Sequence, residues 1–103
     1  MYVLLVRYSA PLQRIDEVRP AHAAYLERHY AEGTFLVSGR QRPPLGGVIV
    51  AADVDRAELE RIIATDPYVV TGVGEYTIVE FGPTMVANSL RDGLAASGVA
   101  LVT

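Results

Sequence analysis

The stretch from Tyr2 to Tyr8 constrains the chain most. It is dense in β-branched, aromatic and leucine residues, and Ser9-Ala10-Pro11 ends it. Side chains alternate across a strand, so Tyr2, Leu4 and Val6 share one face and Val3 and Leu5 the other. Both faces are apolar, which predicts a central strand covered on both sides. The stretch is too short for a membrane span, which takes about 20 apolar residues, and it lacks the basic start and longer apolar run of a signal peptide. A soluble, cytoplasmic chain is expected.

The remaining elements follow from punctuation. Leu12 to Glu32 reads as helical, interrupted by Pro20, because proline suits a first turn and disrupts an interior. The expectation is a short turn over Leu12–Val18 and a main helix from Pro20 to Ala31, with Gly33 just past its end. Thr34 to Ser38 forms a second strand. A loop carrying Pro43-Pro44 leads through Gly46-Gly47 to a third strand, Val48–Ala52. Asp53 or Asp55 caps a helix over Arg56–Thr65 with Leu59, Ile62 and Ile63 as its apolar stripe, and Asp66-Pro67 stops it. Tyr68 to Val70 adds one turn, and Glu75 to Phe81 is a fourth strand.

The order β-α-β-β-α-β is the ferredoxin-like α+β pattern. One antiparallel sheet with both helices on one face leaves the other face bare, and packing two such sheets together predicts a homodimer. Residues 1–83 make up this domain. Residues 84–103 form an extension with a helix over Met85–Ala96 and a strand-like run, Val99 to Val102. Charge bounds the partners: nine basic against twelve acidic residues give a net charge of −3. Without a basic excess to neutralise phosphates, nucleic acid is not the expected partner. The chain has no cysteine, which excludes disulfides and thiolate chemistry.

His22 is the most promising single residue. In the first turn of a helix starting at Pro20, the partial positive charge of the helix end would favour a neutral imidazole, a good general base near neutral pH. A helix-face histidine bonded to water is the plain alternative. Asp66 in Asp66-Pro67 is an ordinary turn or cap residue, unless its carboxylate fixes the His22 tautomer. Ser38 can donate a hydrogen bond, the Gly39 backbone can approach a ligand closely, and Arg40 can pair with an anion. The same three residues also fit a plain strand-to-loop transition. Tyr25 and Tyr68 can shape an aromatic wall. His29 lies about two turns from His22, too far to share a metal, and no ligand set is present, so no metal site is expected.

Taken in order, Arg19-Pro20-Ala21-His22, Tyr25-Leu26, Gly33, Ser38-Gly39, Gly46-Gly47, Asp66-Pro67-Tyr68 and the closing Tyr76–Phe81 resemble the YCII-related family over residues 1–83. The resemblance implies a ferredoxin-like chain paired into a dimeric α/β barrel, similar to muconolactone isomerases. It implies that His22 and Asp66 form an active-site pair, with Ser38 and Gly39 matching the family's serine and glycine. Many relatives carry proline where this chain has Arg40, and the extension beyond Pro83 is outside the common pattern. One branch of the family removes chloride from a chlorinated hydroxyhydroquinone.

The expected function is therefore a cofactor-free lyase or isomerase acting on a small hydroxylated or aromatic ring. His22 moves a proton, Asp66 holds it, and Ser38, Gly39, Arg40 and Tyr68 contact the substrate. The alternative is a non-catalytic small-molecule-binding or accessory module of the same fold, or an interaction protein using its extension.

Overall fold

The computed structural model describes residues 1–102. Four strands, β1 (Tyr2–Tyr8), β2 (Phe35–Arg40), β3 (Gly46–Ala51) and β4 (Gly74–Glu80), form one sheet in the order β2-β3-β1-β4. All three neighbouring pairs are antiparallel. Helices α1 (Leu12–Ala31), α2 (Arg56–Ala64) and α3 (Pro67–Val70) follow their strands in the ferredoxin-like order, and α4 (Asn88–Ala96) comes last. Thr103, the end of the expected extension, lies outside the described residues. No helix among the described residues is long and apolar enough to cross a membrane.

β1 is central, as its two apolar faces require. Leu4 pairs with Ile49 on one side and Ile78 on the other, and all three point to the helical face. There Tyr2, Leu4, Val6, Ile49 and Phe35 pack against Ile15, Val18 and Tyr25 of α1 and against Leu59, Ile62 and Ile63 of α2. Burying a side chain of this kind contributes about 1.5–3 kcal/mol.

The expected break at Pro20 does not occur. α1 runs unbroken through it. Pro20 removes one helical donor at a cost of about 3 kcal/mol, but it and Asp16 lie on the exposed side, where water can meet the freed carbonyl. Packing holds the helix across the gap. Ile15, Val18, His22, Tyr25 and His29 recur at spacings of three and four and form the face turned to the sheet. His22 thus lies in the middle of α1 rather than in its first turn, and the helix-end argument for a neutral imidazole does not apply.

Other boundaries move as well. β2 runs on to Arg40, so Ser38, Gly39 and Arg40 are strand residues rather than a strand-to-loop transition. Gly46 and Gly47 belong to β3, and a side chain at Gly46 would meet the Val6 carbonyl of β1. Asp55 stands at the start of α2 but makes no side-chain cap bond, and Asp53 instead faces the Met1 ammonium group at 3.7 Å. α4 starts at Asn88 rather than Met85, and Val99 to Val102 is not a strand.

The face of the sheet away from α1 carries Val3, Leu5, Val48, Val50 and Val79. It is not wholly bare. Val99 and Leu94 of the extension pack with Met1, Ala52, Leu36 and Val50 and cover one end of it. The rest stays open: Leu5 is 37% exposed, Val79 45% and Val37 58%.

Candidate active site

Asp66 organises the site. It directly precedes the four-residue α3, where Pro67 has no amide hydrogen to bond, and its side chain accepts from the Tyr68 backbone N–H at 2.9 Å. The plain capping role therefore holds, and a second one is added to it. The same oxygen, Oδ1, accepts from His22 Nδ1 at 2.8 Å, and Oδ2 accepts from the Tyr76 hydroxyl at 2.5 Å. Asp66 is fully buried, and all three of its partners are donors.

The histidine geometry follows from this carboxylate. An acceptor at Nδ1 requires the hydrogen there, so in the neutral imidazole the lone pair is on Nε2. His22 is only 13% exposed and lines a cavity between α1 and the sheet. The Tyr68 ring lies flat against the imidazole, with centroids 3.9 Å apart at 13°, and fixes its plane. Behind the carboxylate, the Tyr25 hydroxyl approaches that of Tyr76 at 3.4 Å. Burial, first, and then the neighbouring Tyr25 and Asp66 push the Tyr76 phenol far above its ordinary pKa, and burial does the same to Tyr25. Both therefore remain hydrogen-bond donors.

The cavity has a volume of about 340 Å³, at the small end for ligand pockets. Val6, Ile49, Ala23 and Leu26 make its apolar wall. Ser38 supplies a hydroxyl on one side, shared with that of Tyr30. Arg19 and Arg40 stand at the rim with Tyr8 and Tyr68. Burial, then the neighbouring Tyr8, raises the Tyr68 pKa, and the Arg19 guanidinium opposes this.

Residues 1–82 match the family model of the YCII-related domain. The chain belongs to the YCII-related family. Among solved structures this family member is similar to a 5-chloro-2-hydroxyhydroquinone dehydrochlorinase from Burkholderia phenoliruptrix AC1100 in complex with 2,5-dihydroxybenzoquinone. The TM-score is 0.66 and the identity 21%, over 81% of this chain and 95% of that one. No curated protein sequence matches the chain.

All six residues singled out from the YCII-type sequence come together. His22, Ser38, Gly39, Arg40 and Tyr68 line one cavity, and Asp66 lies behind His22. Arg7, which also carries a charge able to attract an acid, is elsewhere, paired with Glu75 on the opposite face of the sheet. His29 bonds Glu32 at 2.9 Å and takes no part. Sequence reasoning missed three contributors: Tyr76, Tyr8 and Arg19. Tyr76 was legible in principle, since its register opposite Val6 turns it to the helical face, where a buried hydroxyl needs a partner.

Proposed function

We propose that the chain is a small acid–base enzyme of lyase or isomerase type acting on a hydroxylated six-membered ring. One observation carries the reading: a buried carboxylate bonded to His22 Nδ1, with the other imidazole nitrogen left for the cavity. In this mechanism Nε2 takes a proton from a position next to an oxygenated ring carbon. The electron pair left behind expels a leaving group from the adjacent carbon, which is elimination, or is reprotonated elsewhere by the imidazolium, which is isomerisation. Asp66 steadies the imidazolium without taking its proton. Ser38, with the Gly39 backbone beside it, offers polar contacts to ring oxygens as charge builds there. The ring compound bound to the similar dehydrochlorinase supports the substrate class, and the cavity volume suits a single ring.

The test is turnover of hydroxylated rings, beginning with 5-chloro-2-hydroxyhydroquinone and reading chloride release. His22→Ala should lower kcat about 10²–10⁴-fold and erase the acidic limb of the pH–rate profile. If that limb survives in His22→Ala, the base is another group.

Two architectural proposals accompany this reading. The open apolar patch of Val3, Leu5, Val37 and Val79 is the natural seat for a second copy of the chain, making a homodimer. Sedimentation at micromolar concentration should give twice the chain mass, and a monomer would reject the pairing. The extension beyond residue 83 is an addition to a self-sufficient domain. Ending the chain at residue 83 uncovers Met1 and Ala52. It should cost about 2 kcal/mol of stability while leaving one cooperative thermal transition. Loss of that transition would make the extension integral to the domain.

A further inference from the structure

The rim of the cavity holds charge that the acid–base step does not use. Arg19 and Arg40 come from different elements, α1 and β2, yet both donate to one oxygen: Nη2 of Arg19 lies 2.9 Å and Nη2 of Arg40 3.0 Å from Asp16 Oδ1. Two guanidinium groups share one carboxylate, so one positive charge is left over. Both arginines line the cavity and Asp16 does not, so the carboxylate holds them from outside. Arg40 is fixed further by a 3.0 Å bond from Nε to the Tyr8 hydroxyl. Its guanidinium carbon sits 5.5 Å from the centre of the Tyr8 ring. The Tyr8 ring meets the Tyr68 ring edge-on at 6.0 Å, and Tyr68 stacks on His22.

These contacts make a continuous surface from a fixed cation to the imidazole. Arg19 and His22 are three residues apart on α1, neighbours on one helix face about 4.5 Å apart along the axis. The separation is on the scale of one ring. A guanidinium held on two sides keeps its remaining N–H groups in a fixed fork, which matches a planar carboxylate. The single surplus charge and the apolar wall suit a monoanion.

We infer that the substrate carries a carboxylate on its ring, seated against Arg19 and Arg40 while the reacting carbon lies under His22. This rests on the acid–base reading of the same cavity and adds the charge of the substrate to it. Asp16 is then a positioning residue for the two arginines.

Paired probes test it by titration of the full chain at low salt. 3-Hydroxybenzoate and 3-hydroxybenzamide share one ring and one hydroxyl and differ in charge. The acid should bind about tenfold more tightly than the amide, and the gap should narrow as salt is raised. In Arg19→Gln/Arg40→Gln the gap should close, acid affinity falling by more than amide affinity, with unchanged thermal unfolding showing that the fold is intact. Arg40→Lys should keep part of the preference. An acid bound no better than its amide overturns the inference and leaves the acid–base reading standing. A preference that persists in the double variant also overturns it, since the anion is then held elsewhere. If neither probe binds the native chain, the ring pocket beneath both readings is lost.

Discussion

Asp66→Ala should lower the melting temperature by about 20 °C. Truncation strands three donors at once in a dry interior: the His22 Nδ1–H, the Tyr68 amide and the Tyr76 hydroxyl. Each buried group left without a partner costs about 1–3 kcal/mol, the Tyr68 amide, which is the helix-cap bond, accounting for about 1 kcal/mol of this. A total near 4 kcal/mol is a large share of the stability of a small domain, where each kcal/mol moves the midpoint by about 4–8 °C. Asp66→Asn should behave differently. Its oxygen can still accept from His22 and Tyr68, and its amide can donate to a Tyr76 hydroxyl that rotates to accept. Stability should then fall by only about 1 kcal/mol, while kcat falls about 10²–10⁴-fold because no negative charge faces the imidazolium. Thermal unfolding of both variants, with turnover of the second, checks the pair. Equal loss of stability in the two would mean that charge, not hydrogen-bond satisfaction, holds the interior together.

Gly46→Ala is the second large effect. An ideal Cβ there falls 1.7 Å from the Val6 carbonyl oxygen and 2.8 Å from its carbon. These are backbone atoms of the central strand, so no rotamer change relieves the clash, and β1 and β3 would have to part. The expected loss is at least about 3 kcal/mol. Gly39→Ala is the control, because nothing lies within 4 Å of the added carbon. Chemical denaturation should show a lowered midpoint for Gly46→Ala alone. Parallel curves for the two variants would mean that the strands tolerate the separation.

Much of the architecture was legible because the sheet follows simple alternation. β1 announced its central place through two apolar faces, and Asp66-Pro67 marked the end of α2 as expected. α1 was harder, for a physical reason. Two of the five residues on its sheet-facing stripe are histidines, so an apolar count blurs the period, while Pro20 suggests a break that long-range packing overrides. His22 was singled out on a helix-end argument that the unbroken helix removes. What places it is a carboxylate 44 positions away in sequence, which local patterning does not see. The residues left that pairing open as one alternative, and resemblance to the YCII-related family favoured it. Tyr76 and the arginine pair at the rim emerged only from the register of β4 and the meeting of α1 with β2, both products of tertiary assembly.

The double duty of Asp66 sets how such a scaffold can change its chemistry. A residue that is at once helix cap, anchor for a tyrosine and partner of the imidazole cannot be exchanged for a new reaction without a cost in stability. The wall residues Val6, Ala23, Leu26 and Ile49 and the rim residue Arg40 carry no such triple obligation. Diversification across descendants of this chain would therefore run through substrate choice, with the proton-handling core inherited intact.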